Sequence, residues 1–145
     1  MSISSITSAN AVYMLGVLGL FPTAQQLENF STDSAYDTEA VEMGVVEKGV
    51  DGLTVSGFVP YLASQSIMLQ ASSASNFMID QVIAAEKVAK EKYVFFGTIR
   101  MKSIRSVYNL TGGILSRGSV MPAARRTLQP RTFTIVWDDI TTSPM

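Results

Sequence analysis

The sequence predicts a mainly β fold, a β-sandwich or partial barrel with one flanking α-helix. Three observations carry that prediction. Two-residue alternation of apolar and polar side chains recurs along the chain and is cleanest from Thr132 to Trp137. Only the stretch after Ser72-Ser73-Ala74-Ser75-Asn76 shows the three- and four-residue spacing of a convincing amphipathic helix. Turn-forming pairs, Asp51-Gly52 and Gly112-Gly113, punctuate the extended runs. Strands, then one helix, then strands is the order of a layered β protein.

Taken in order, Ala11 to Phe21 is an unbroken apolar run bounded by Asn10 and Pro22. It reads as a buried strand covered on both faces or as a short buried helix, with Gly16 and Gly19 counting against the helix. Thr23 to Phe30 reads as a short strand, and Ser31 to Ser34 as a turn. Tyr36 to Lys48 is a long strand candidate that carries Asp37 and Glu39 on one face and Glu42 on the other. Asp51-Gly52 then predicts a hairpin closed by a type I′ turn, whose central residues both take positive φ. The return strand is Leu53 to Val59, stopped by Pro60, and Ser66 to Ala71 alternates again.

In the helix, Met78, Ile79, Val82, Ile83, Ala85 and Ala89 form one apolar stripe. A Ser or Asn at its start can cap free amides, and Asp80 and Lys87, Lys90 and Lys92 complement its dipole. Tyr93 to Ser103 is β-rich, with Phe95, Gly97, Ile99 and Met101 on one face. Arg105 to Gly118 reads as loop with a turn at Gly112-Gly113. Ser119 to Gln129 is interrupted by Pro122, and Thr141 to Met145 reads as a loose tail. The whole chain, residues 1–145, is expected to form a single domain.

Composition excludes several function classes. The chain is 47% hydrophobic and 16% charged, against about 25% charged in an ordinary soluble domain, which implies surface covered by other copies or partners. With no Cys there is no disulfide scaffold, thiolate metal site or thiol nucleophile, and with no His the usual general base is missing. Residues 1–86 carry nine acids and one base, while residues 87–145 carry ten bases and three acids. Such halves either neutralise each other within one domain or meet as unlike faces between subunits. No Lys or Arg precedes Lys48 and the apolar run is short, so neither a secretory signal nor a membrane span is predicted; the expected compartment is the cytoplasm.

No catalytic motif emerges, and no cofactor or metal is expected. Gly49-Val50-Asp51-Gly52 lacks the Gly-Lys-Ser/Thr ending of a phosphate loop. Asp138-Asp139 reads as a solvated strand end rather than an ion site. Asp37, Glu39 and Glu42 read as a solvated strand rather than a glycosidase dyad. Arg125, Arg126 and Arg131 form a basic patch without interleaved aromatics, which favours a protein–protein contact over a single-stranded nucleic acid. Trp137, Phe95 and Phe96 are expected in the core.

Several stretches in a fixed order resemble one family. They are Val50-Asp51-Gly52, the G-x-V-P at Gly57 to Pro60, the I-x-L-Q-A-S-S-x-S at Ile67 to Ser75, and the L-Q-P-x-x-F-x-I-x-W at Leu128 to Trp137. With Leu27 to Tyr36 they are similar to bacteriophage tail tube proteins, in particular those of contractile-tailed phages. That resemblance implies a non-enzymatic virion protein assembled in the host cytoplasm. Six copies would close into a ring, and stacked rings would form a conduit through which DNA passes without specific binding. A sheath, a tape measure and a baseplate would be its neighbours. It also implies that the hairpin around Lys48, Asp51 and Gly52 reaches the adjacent ring. Asp37, Glu39 and Glu42 are then lumen candidates, and Arg125, Arg126 and Arg131 subunit-interface candidates. A tube-like ring of the baseplate or tail terminus, a secretion-apparatus tube, and a monomeric β-sandwich binding module or carboxylate hydrolase are the alternatives.

Overall fold

A computed structural model describes residues 11–28, 30 and 35–144. The elements run β1 (Ala11–Val17), β2 (Phe21–Gln26), β3 (Tyr36–Thr38), β4 (Gly44–Lys48), β5 (Thr54–Phe58), β6 (Ala63–Leu69), α1 (Ser75–Ala89), β7 (Phe95–Met101), β8 (Ser106–Gly118), β9 (Arg131–Trp137) and β10 (Asp139–Pro144). Eight strands form one continuous antiparallel sheet in the order β2-β1-β7-β8-β9-β6-β3, with β10 also on β8; β4 and β5 form a separate two-stranded ladder. The fold is therefore mainly β with one α-helix among the described residues. The sheet is not closed into a barrel. After β2, Phe30 forms an isolated antiparallel bridge with Leu69 of β6.

The long strand β8 holds the architecture together. Its first half pairs with β7 and β10, and its second half with β9. Between the halves lie Gly112, at φ 63°, and Gly113. A side chain at Gly113 would stand 2.5 Å from the Trp137 ring, so only a bare backbone lets that indole pass beneath the bend. The sheet folds over itself there, and its two halves enclose one core. Tyr13, Leu15 and Val17 of β1 face Ile67 and Leu69 of β6 and Phe133, Ile135 and Trp137 of β9. Met78, Ile79 and Val82 of α1 close one end of that core. Each such fully buried large side chain contributes about 1.5–3 kcal/mol.

Among the buried polar side chains, Gln65 is the least exposed. The buried Gln65 amide oxygen accepts hydrogen bonds from the Tyr13 hydroxyl and from Trp137 Nε1 at 3.2 Å, and its nitrogen donates to Thr38 Oγ1 at 3.1 Å. It ties β1, β9 and β3 to β6. Burial pushes the Tyr13 phenol well above its ordinary pKa, with a smaller contribution from Tyr36, so the neutral donor is held.

Five local readings are corrected. The Ala11–Phe21 run is a strand that ends at Val17 and turns through Gly19 into β2. The long strand at Tyr36 stops at Thr38 and resumes only at Gly44, because the two pieces pair with different partners, β6 and β5. The hairpin turn is not type I′. Gly52 N–H donates to Gly49 O, which makes Val50 and Asp51 the central residues, and only Gly52 takes positive φ, at 85°. This is a three-residue loop with a glycine bulge. Arg105 to Gly118 is mostly strand rather than loop, and Gly112-Gly113 is its bend rather than its turn. The tail pairs with β8 along Asp139–Pro144 instead of lying loose.

The bend yields a direct expectation. Gly113→Val should lower stability by about 1–3 kcal/mol through overpacking against Trp137. Gly57→Ala, where nothing lies within 4 Å, should change it by less than about 0.5 kcal/mol. Urea unfolding followed by circular dichroism separates the two.

Candidate functional site

No group of three or more acidic side chains that could hold a metal ion occurs among the described residues. The features that stand out are surfaces. The first is the β4–β5 hairpin, which pairs Gly44 with Phe58 through to Lys48 with Thr54. Every residue of both strands is exposed. Val45 and Val55 lie on one face of the ladder and Val46 and Phe58 on the other, and Phe58 is 79% exposed. Asp51 Oδ1 accepts the Leu53 N–H at 3.1 Å and steadies the tip. A lone two-stranded hairpin is marginal in water, so this element gains most from a partner.

The second is the outer face of β3, β6 and β9. Backbone pairing puts Asp37 beside Ser66 and Ser66 beside Thr134. The Glu39 N–H donates to Ser64 O, which continues the register and sets Glu39 on the same face. Ser66 Oγ and Thr134 Oγ1 lie 3.5 Å apart. The result is a flat strip of small hydroxyls with exposed carboxylates along the β3 edge. Glu42 lies beyond the ladder, in the link to β4.

The third is the end capped by α1. Among the described residues only two ion pairs form, Lys92–Glu86 at 3.1 Å and Arg131–Asp80 at 2.7 Å. Each joins an acid of residues 1–86 to a base of residues 87–145, so among the described residues the acidic and basic halves pair directly at two places. Arg131 leaves the set of interface candidates: it is 4% exposed, grips the Asp80 carboxylate with two nitrogens, donates to Ser119 O, and lies 4.9 Å over the Phe133 ring. Its alternation parity with Phe133 turns it inward, a signal already present in the strand pattern. Arg125 and Arg126 remain exposed in the loop between β8 and β9.

The serine run before α1 has a role that capping logic missed. The helix has Ala74 at its N-cap and no side-chain cap. Instead Ser73 Oγ donates to Glu28 O, and Ser75 Oγ accepts the Glu28 N–H at 3.0 Å. Together they clamp the crossing segment after β2 onto the helix. Ser73 Oγ also accepts the Ser75 N–H at 3.2 Å, the nearest approach to a cap.

By sequence the chain matches the family described as "Tail fiber protein gp32" over residues 4–141. No curated protein matches it. In fold it is similar to a chain of the anti-feeding prophage baseplate, seen in a 6-fold symmetrised cryo-EM structure. There the TM-score is 0.61 at 12% identity over 99% of this chain and 98% of that one. A chain of the anti-feeding prophage cap, a tube terminating cap, gives 0.60 at 12% identity over 100% and 95%. One from the sheath-tube complex of the extracellular contractile injection system PVC gives 0.58 at 11% over 97% and 93%. At such identities the likeness is one of fold.

The Arg131 site makes its own expectation. Asp80→Ala strands a buried guanidinium and should cost about 1–3 kcal/mol. Arg125→Ala with Arg126→Ala should move stability by no more than about 0.5 kcal/mol. Thermal unfolding of the two variants beside the wild type checks both.

Proposed function

This chain belongs to the tail fiber protein gp32 family, and from that membership we propose that it is a ring-forming, non-enzymatic subunit of a contractile tail, of the tube type. Six copies close into a ring, and the rings stack into a conduit that passes DNA. The observation that carries the reading is the β4–β5 hairpin. It leaves the sheet fully exposed, with apolar side chains on both faces and no cover from any described residue. An adjacent ring supplies that cover, with Lys48, Asp51 and Gly52 at the contact. Closing the ring also joins sheet edges that a lone subunit leaves open, which removes a standing aggregation hazard. Arg125 and Arg126 face a neighbouring subunit, and sheath, tape measure and baseplate proteins are the further partners.

The hydroxyl strip bearing Asp37 and Glu39 faces the lumen. The carboxylates repel phosphate, and the strip offers no Lys or Arg, whose every contact would add affinity by counterion release. Glu42 follows off the ladder, toward the hairpin. The second reading, a tube-like ring of the baseplate or tail terminus, is favoured by the fold likeness to baseplate and cap chains.

Native mass spectrometry and electron microscopy test the reading together. Hexamers that grow into long tubes are expected of a tube subunit, and isolated rings of a baseplate or terminal one. A strict monomer at tens of micromolar would overturn both and favour a binding module. Gly52→Val places a β-branched residue at φ 85° with no atom within 4 Å, so its cost, about 1–3 kcal/mol, is conformational and confined to the tip. Rings should persist and tubes shorten. Asp37→Lys with Glu39→Lys should leave assembly intact and slow DNA passage, with the slowing relieved as salt rises.

A further inference from the structure

A cavity of about 270 Å³ opens between the two halves of the folded sheet. On one side Ile99 and Met101 of β7, Tyr108 and Leu110 of β8 and Ile140 of β10 form a largely apolar wall. The register makes that wall continuous, with Tyr108 beside Ile99 and Leu110 beside Ile140. On the other side stand Tyr36 and Thr38 of β3 and Gln65 of β6. β3 is three residues long, pairs with β6 and ends the sheet, so no ladder joins it to the opposite wall.

The polar part of the lining is neutral and not fully used. Among the described residues no Lys, Arg, Asp or Glu lines the cavity. Gln65 is 2% exposed. Its oxygen is taken by Tyr13 and Trp137, and one N–H is given to Thr38 Oγ1; its second N–H has no partner among the described residues. A buried N–H without an acceptor is costly, so an acceptor brought in from outside gains more here than at an open surface. Thr38 Oγ1, which accepts from Gln65, keeps its own hydrogen to donate. The Tyr36 ring is fixed by edge-on contacts with Tyr13 at 5.4 Å and Phe30 at 5.7 Å. Burial raises its phenol above the ordinary pKa, which keeps it a neutral donor.

Size and lining set the class of occupant. The volume lies between the about 150 Å³ of a dry cavity that takes benzene and the roughly 300–1,000 Å³ of drug-sized sites, which leaves room for one or two rings. The Met101 thioether and the Tyr36 and Tyr108 rings favour a planar aromatic guest. An ionised guest would be desolvated with no counter-charge in the lining. We propose that this cavity binds an uncharged aromatic molecule of one or two rings that carries a hydrogen-bond acceptor, the ring lying against Met101 and Tyr108 and the acceptor at the Gln65 amide nitrogen and the Thr38 hydroxyl. The site shares no residue with the hairpin or with the loop of Arg125 and Arg126, and it does not depend on ring formation.

Coumarin, two fused rings with a carbonyl, is the probe. Equilibrium dialysis and saturation-transfer difference NMR on the full chain, in whatever assembly state it adopts, should show saturable binding at one site per chain. Naphthalene, which lacks the acceptor, and 2-naphthoate, which is charged, should each bind at least about tenfold more weakly. Ile140→Trp and Met101→Trp fill the cavity from two half-buried positions on its wall. Each should abolish coumarin binding, and the thermal midpoint checks that the variant is folded. The order of the three probes on the unmodified chain tests the site without any variant. No saturable coumarin binding, equal binding of either analogue, or binding that survives in a folded blocking variant would overturn the assignment. Failure of the ring reading would leave all of these outcomes as they are.

Discussion

The Gln65 side chain is the constraint on which the rest of the structure depends. A buried amide has to be satisfied or it costs about 1–3 kcal/mol. Here its oxygen takes donors from β1 and β9, and its nitrogen gives to β3. Those three strands lie in different parts of one folded-over sheet, so the amide fixes how the halves register against each other, which apolar packing alone leaves free to slide. The hairpin departs just after Thr38, the third partner, so its take-off point is set by the same group. The bend at Gly112-Gly113 and the inward placement of Trp137 are the backbone conditions for that arrangement.

Much of this was legible in the sequence where a single period governed. The inward parity of Phe133, Ile135 and Trp137, the alternation through β7, the apolar stripe of α1 from Met78 to Ile83 and the hairpin between two extended runs all follow from spacing, and all are present, whereas Ala89 of the stripe is exposed and Phe96, expected in the core, is half-buried. What failed depended on tertiary partners. A Gly-Gly pair reads as a turn locally, and only the indole of a distant strand shows it to be a bend within β8. The tail pairs because β8 outruns β9, which no local pattern reveals. The strand at Tyr36 breaks because its halves serve two ladders. Of the site candidates, the exposure of the hairpin and of Asp37, Glu39 and Glu42 was readable. Arg131 was misgrouped with Arg125 and Arg126 by proximity along the chain, although its parity with Phe133 pointed inward.

The ordered motifs carried the resemblance to contractile-tailed phage proteins, and the family match now covers residues 4–141. Their physical content is clearer in the folded chain. The serine run holds the crossing segment through Ser73 and Ser75. The final motif supplies Arg131, Phe133, Ile135 and Trp137, all on the core side of β9. The Val-Asp-Gly turn provides the one position in the hairpin loop that takes positive φ. These three motifs thus mark places where chemistry restricts the residue, by a hydrogen bond to main chain, by burial or by conformation, whereas Gly57 of the G-x-V-P motif meets nothing within 4 Å.

The burial of Trp137 has an optical consequence. It is the single tryptophan of the chain, and it is fully buried with its N–H held by Gln65. The indole fluorescence of this protein therefore comes from one spot, at the junction of the two sheet halves. Emission should sit at the blue end of the indole range and be insensitive to events confined to the exposed surfaces. It would move to the red only when the junction itself opens. The molecule thus carries an internal gauge that reports on the integrity of the folded core separately from events at its surface.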